Sequence, residues 1–304
     1  MNPNVIMKNA VANKLIIPAF NIPHLPMLKP AVQAIVDEDS VAMIQVARLE
    51  WEKFESKSLE AVAEEYFRHY DPEHTLLHLD HVPVIDEDNL RVDYLPIIER
   101  ALKAGYQSVM VDASRLPLDE NIEATSRVSG LAHDAGAACE AELGSVAGHE
   151  SGGIGMSYEE LFTTKKGFTD FNEAKRFAVE SGCDWLSVAA GSIHGAIAEQ
   201  TRNQKKPEAR LDIGHIAALG EATGGMPLVL HGGSGIKREY ILAAVKSGVA
   251  KINVGTEIRQ TYEFALAEKP GDIAYAQDKV YLRIRQIIKE FLGVNGSGKI
   301  LNVN

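Results

Sequence analysis

Cysteine is nearly absent. Cys139 and Cys183 are the only two in 304 residues, and no CxxC pair occurs. Two thiols in or beside apolar runs cannot build a disulfide framework, so they are expected to be buried, free and in a reducing compartment. Long apolar runs are missing too: no stretch is long enough to span a bilayer. The first residues, MNPNVIMKNAVANKL, lack the apolar core of a signal peptide, so the expected location is cytoplasmic. Positive charge is in deficit, with 31 Lys and Arg against 42 Asp and Glu, a net charge of −11. That balance argues against nucleic acid, which needs a basic footprint, and against an anionic membrane surface. An anionic small molecule would have to be held locally, by oriented N–H groups, a metal or a few arginines. No Pro/Ser-rich linker and no short repeat divides the chain, so a single domain over 1–304 is expected.

What is present is a recurrence of short apolar, often β-branched runs. They predict strands at 16–20, 41–46, 75–79, 108–111, 138–142, 185–188, 228–230 and 251–254. Amphipathic stretches at 95–104, 122–135, 171–181 and 240–247 read as helices, and Gly105, Gly136, Gly182 and Gly248 suit the positions that end them. Eight strands alternating with helices fit either a (β/α)8 barrel or a doubly wound sheet. The polar residues decide. Asn21, Asp80, His81, Asp112, Glu142, His194, His231 and Asn253 all fall at C-terminal strand ends, which only a barrel brings to one face. The α/β class with a TIM barrel is expected, and helices at 257–266 and 279–291 extend it from about residue 257.

His81, His194 and His231 each follow an apolar run, in LLHLDH, WLSVAAGSIHG and MPLVLHGG. Three neutral imidazoles plus an open position make a catalytic zinc site. His24, His69, His74, His133, His149 and His215 are read as ordinary histidines, and His78 as a neighbour of the site or a core residue. Asp80 suits a base, a ligand or an orienting group. Glu142 suits an alternative metal ligand, Asp112 is similar, and Glu140 shares the face of Glu142 by strand alternation. HGGSG at 231–235 and INVGT at 252–256 follow the seventh and eighth strands, where barrels build phosphate sites. Glycine-rich 144–155 carries Glu150 and is read as a loop that brings a carboxylate over the site. GVNGSGK at 293–299 lacks the strand and the hydroxyl residue of a true P-loop.

Together PAFNI (18–22), HLDH (78–81), SVMVDAS (108–114), ENI (120–122), EAELGSVAGHE (140–150), GSIHG (191–195), LVLHGGSGI (228–236) and INVGT (252–256) resemble the class II, zinc-dependent fructose-bisphosphate and tagatose-bisphosphate aldolases. The resemblance implies a homodimer or homotetramer that acts on ketoses derived from dihydroxyacetone phosphate. It implies one Zn2+ held by His81, His194 and His231, with Glu142 in an alternative position and Asp112 a possible addition. Asp80 would be the acid/base at the C4 hydroxyl, and Glu150 would move the proton at C3. Gly195, Gly232, Gly233, Ser234, Asn253 and Thr256 would form the dihydroxyacetone phosphate pocket, with Na+ or K+ nearby.

The chain also departs from that pattern. Ala47 and Arg48 stand where the family commonly has serine or threonine, DGSH becomes DASR at 112–115, and the late D/E-P-R segment has no counterpart. These departures lead to the expectation of a non-standard distal group, such as a sulfonate, near Asn21, Arg48 and Arg115. An ordinary bisphosphate is the alternative. Lys251 is a rival as a Schiff-base lysine, though the histidine set makes one unnecessary. A metal hydrolase would open with two histidines on the first strand, where PAFN stands. A non-catalytic sugar-phosphate-binding protein would have no need of Asp80 and Glu150.

Overall fold

The computed structural model describes residues 1–144, 158–193 and 209–303. Eight parallel strands close into a barrel in chain order: β1 Ile17–Asn21, β2 Ala42–Ala47, β3 Thr75–Pro83, β4 Ser108–Asp112, β5 Ala138–Leu143, β6 Trp185–Val188, β7 Leu228–Leu230 and β8 Val249–Val254. The predicted strands match within a few residues. The largest difference is β3, which runs on to Pro83 because a register shift against β4 between Leu79 and Val82 absorbs the irregularity. Asp80 and His81 therefore lie within the strand, and His81 takes a positive φ of 31° there.

Around the barrel lie α2 (Leu28–Asp37), α3 (Arg48–Lys53), α4 (Leu59–His69), α5 (Tyr94–Lys103), α6 (Leu118–Asp134), α7 (Tyr158–Thr164), α8 (Phe171–Glu180), α9 (Ile213–Ala222) and α10 (Arg238–Lys246). The C-terminal extension is α11 (Thr256–Glu268), α12 (Ile273–Gln286), which runs into a π turn at Ile287–Leu292, and α13 (Gly298–Leu301). The second of these helices starts six residues earlier than its apolar pattern suggests, capped by Asp272. Gly105 and Gly248, at φ 93° and 105°, end α5 and α10 as expected. Among the described residues no helix is long and apolar enough to cross a membrane.

Alternation along each strand sorts the residues into two cores. Outward-facing residues such as Ile44, Leu77, Leu79 and Leu186 pack under the helices. Inward-facing Ile17, Ala19, Met43, Leu76, Ala138, Trp185 and Val229 fill the barrel floor. Ile6, Met7 and Ala10 of α1 (Pro3–Asn13), with Leu301 of α13, seal that floor from below. Trp185 Nε1 donates to Asn4 Oδ1 at 2.9 Å, which ties the plug to β6. Going up the barrel, the inward positions turn polar: Gln45, His78, Glu140 and Lys251, then Asn21, Asp80, Glu142, His231 and Asn253. The apolar floor thus fixes strand positions, and the upper layers carry groups that only neighbouring strands can satisfy.

Trp185 is fully buried at the centre of the floor. Trp185→Ala should destabilise the protein by about 3–5 kcal/mol, because the cavity adds to the lost transfer energy. Urea unfolding measures this; a cost below about 1 kcal/mol would mean the floor does not hold the barrel.

Candidate active site

At the top of the barrel β3 brings His81 and the end of β7 brings His231 to one point. His231 Nδ1 lies 2.6 Å from His81 Nε2, with the rings 70° apart. Each outer nitrogen faces a carboxylate. Glu140 Oε1 accepts from His231 Nε2 at 2.8 Å, and Asp112 Oδ2 lies 3.5 Å from His81 Nδ1. The Glu140 carboxylate keeps the proton on His231 Nε2 and turns its Nδ1 lone pair toward His81. Nitrogens at that separation are held together by a shared proton or by a bridging metal ion. Burial first, then the charge of His81, lowers His231 to about 4, so it is a neutral imidazole at ordinary pH, as a metal ligand must be. Glu142 Oε2 lies 3.3 Å from His231 Nδ1 and accepts from Ser187 Oγ at 3.2 Å. Donor atoms of His81, Asp112 and Glu142, and of Asp80, His81 and His231, fall within 4.8 Å of one another. The donor set fits a divalent ion. His194, Gly195 and Glu150 lie outside the described residues.

Beneath His231 runs a buried chain of charge. Lys251 Nζ stands 2.9 Å from Glu140 Oε2 and donates to Asn253 Oδ1 at 2.8 Å. Burial alone would raise Glu140; Lys251 and His231 offset it and hold the carboxyl at about 2. Lys251 is fully buried and does not line the pocket, which removes it as a Schiff-base candidate. His78, held near 3 by burial and by Lys251, shares a 2.8 Å hydrogen bond with Ser108 Oγ, and its Nε2 lies 3.5 Å from Glu140 Oε2 without a hydrogen bond.

Asp80 is held through both of its carboxylate oxygens. Oδ1 accepts from Asn253 Nδ2 at 2.9 Å, and Oδ2 accepts from Asn21 Nδ2 at 2.9 Å and Gln45 Nε2 at 3.1 Å. Burial opposes its charge, but His81, His231 and Lys251 outweigh burial and hold it well below the usual carboxylate range. Asn21 and Asn253 are thus braces of Asp80 as well as pocket residues. Glu50 at the start of α3 behaves oppositely. Burial, aided by the charge of Asp80, raises it to about 8.

A cavity of about 170 Å³ opens above these groups. On the β7–β8 side it is lined by Gly232, Gly233, Ser234, Gly255, Thr256 and Arg259. Thr256 opens α11, so the positive end of that helix faces the cavity. Ser234 Oγ is buried and has no hydrogen-bond partner among the described residues. Gly233 instead gives its N–H to Asn253 O at 3.1 Å, which takes this amide out of the expected anion cradle. A Cβ at Gly233 would come within 2.5 Å of Ile252 Cγ1, so close packing of the loop on β8 requires glycine there. On the β2–β4 side stand Arg48, Glu50, Phe54 and Arg115. Both arginines are already engaged: Arg48 with Glu52 at 2.9 Å and Asp86 at 3.7 Å, and Arg115 with the Asp86 carbonyl and with Asn89 Oδ1 at 2.7 Å. Gln45, Glu50 and Arg259 escaped the sequence reading. Alternation with Met43 would have placed Gln45 inside, but nothing in the local pattern marks the other two.

A profile described as fructose-bisphosphate aldolase class-II matches residues 1–297. The chain belongs to this family. A fructose-bisphosphate aldolase of Streptococcus pneumoniae serotype 4 is 37% identical over 185 residues, which are 59% of this chain and 57% of that protein. The chain thus spans little more than half the length of the curated relatives it matches. The crystal structure of the YdjI aldolase from Escherichia coli K12 covers 97% of this chain and 98% of its own at a TM-score of 0.76 and 25% identity. The fructose-bisphosphate aldolase of Campylobacter jejuni covers 96% and 94% at a TM-score of 0.71; at 17% identity it supports the fold alone.

Two outcomes follow from this geometry. Glu140→Gln should weaken divalent-metal binding by about 10–100-fold, since partners of ligating histidines typically carry that weight, and should lower stability as well, since it leaves buried Lys251 without its counter-charge. Chelator competition measures it, and unchanged affinity would show that Glu140 does not orient His231. Glu50 keeps its proton in the folded state up to about pH 8, whereas the ordinary value is 4.5. Its contribution to stability is full below about 4.5 and is lost as pH rises through about 8. The stability of Glu50→Gln, followed by urea unfolding across that window, should fall less steeply than that of the wild type.

Proposed function

We propose that this chain is a metal-dependent aldolase that reversibly cleaves a ketose 1,6-bisphosphate of the fructose or tagatose type to dihydroxyacetone phosphate and an aldehyde. The observation that carries the proposal is an ionised, triply hydrogen-bonded Asp80 beside two imidazole nitrogens that converge on one point. His81 and His231 would hold Zn2+, with His194 as third ligand, and Glu142 or Asp112 in an alternative arrangement. Bound there, the ion would supply Lewis acidity toward the ketose carbonyl and its neighbouring hydroxyl. Asp80 takes the C4 hydroxyl proton as the C3–C4 bond breaks, and the aldehyde leaves. Asn21, Gln45 and Asn253 hold the Asp80 carboxylate in place for that transfer. Ser234 and the N-terminus of α11 at Thr256 receive the C1 phosphate, with Gly195 and Gly232 completing the cradle and Na+ or K+ an expected companion. Glu150 returns a proton to C3.

The names of the relatives support the ordinary bisphosphate, and nothing in them supports a sulfonated substrate. The engagement of Arg48 and Arg115 by Glu52, Asp86 and Asn89 gives a distal anion, phosphate or sulfonate alike, no prepared arginine partner on that wall. The same engagement favours one second reading, a ketose 1-phosphate that releases an uncharged aldehyde. A cytoplasmic location is supported by two buried free thiols. A homodimer or homotetramer is supported by exposed Phe264, Ile273 and Leu282 on the C-terminal helices.

Cleavage of fructose and tagatose 1,6-bisphosphates should stop on EDTA treatment and return with added Zn2+. Asp80→Asn should lower kcat by about 10²–10⁴-fold without loss of bound metal. Activity that persists in EDTA, with a lysine trapped by borohydride, would overturn the proposal.

A further inference from the structure

Glu50 takes no part in the steps assigned to Asp80, yet it is buried, lines the cavity and stands beside the proposed base. Its Oε2 accepts from Ala47 N at 2.8 Å and from Asn21 Nδ2 at 3.4 Å. The same Asn21 nitrogen donates to Asp80 Oδ2 at 2.9 Å, so one amide joins the two carboxyl groups. Among the described residues Oε1 of Glu50 makes no hydrogen bond, whereas Arg48 and Arg115 on the same wall are engaged by Glu52, Asp86 and Asn89.

Substrate orientation gives that oxygen a target. With the C1 phosphate at the loops after β7 and β8, the carbon chain runs past Asp80 toward the wall after β2, β3 and β4. Asp80 meets the C4 hydroxyl, and the next hydroxyl along the chain is at C5. We propose that Glu50 is a specificity-determining residue that hydrogen-bonds the C5 hydroxyl, the group α to the carbonyl of the released aldehyde. This inference rests on the aldolase reading. The raised affinity of Glu50 for its proton agrees with it: Oε2 accepts from two donors, which leaves Oε1 as the oxygen open to carry the proton. A neutral acid there offers a donor without adding a second negative charge beside Asp80. A site built to bond a hydroxyl discriminates against the analogue that lacks it.

The test is condensation of dihydroxyacetone phosphate with glycolaldehyde, which has the α-hydroxyl, or with acetaldehyde, which lacks it. Wild-type holoenzyme should prefer glycolaldehyde in kcat/KM by about tenfold or more, the worth of one net hydrogen bond. Glu50→Leu should bring the ratio close to unity, and Glu50→Gln, which keeps a donor, should retain most of it. An unchanged ratio in Glu50→Leu, with both rates lowered alike, would show that Glu50 only braces Ala47 and Asn21 and would overturn the inference alone. A wild-type ratio near unity would overturn it without any variant. Failure of the wild type both to condense either aldehyde and to cleave either bisphosphate would overturn the aldolase reading, and this inference with it; bisphosphate cleavage without condensation of glycolaldehyde would overturn the inference alone.

Discussion

The upper barrel depends on one interaction, the 2.8 Å hydrogen bond from His231 Nε2 to Glu140. It fixes which nitrogen of His231 faces the site, and Lys251, ion-paired with Glu140 in full burial, keeps that carboxylate charged. Burying such a trio is costly unless every charge is matched. Here each member is matched by a neighbour on a different strand: β5 supplies Glu140, β7 leads to His231 and β8 supplies Lys251. Closing the barrel in register is therefore also what assembles the site, and a one-residue slip of any of these strands would turn its polar residues out of the interior.

The layered interior explains how a stable fold carries so polar a centre. The floor is apolar and sealed by α1 and α13, and it supplies the burial that drives folding. Above it, Asp80 and Glu50 show how the environment separates two carboxyls joined by one asparagine. Asp80 receives three amide hydrogen bonds and nearby positive charge and stays ionised; Glu50 receives fewer donors, lies next to that negative charge and holds its proton. Such divergence between neighbouring acids marks sites built for proton transfer.

Much of this was legible in the chain because period and position carry the information. Position at the C-terminal strand ends placed His81, Asp80, Glu142 and Asn253 at one end of the barrel, and strand alternation placed Glu140 on the face of Glu142. What escaped depended on contacts between distant segments. Glu50 looks like any charged residue of a short helix until Asn21, 29 residues away, links it to Asp80. Lys251 reads equally as a nucleophile or as a counter-ion until Glu140 is found beside it. Arg48 and Arg115 suggested an anion site only while Asp86 and Glu52 were out of view. The extent of β3 was misjudged because the irregularity between Leu79 and Val82 breaks the alternation where Asp80 and His81 sit.

The central claim is that His81 and His231 converge on a metal ion. X-ray absorption of the zinc-loaded protein tests it most directly. Imidazole nitrogens should lie at about 2.0–2.1 Å from the ion, with the imidazole count falling by one in His231→Ala. A spectrum without histidine ligands, or one left unchanged by that substitution, would contradict it.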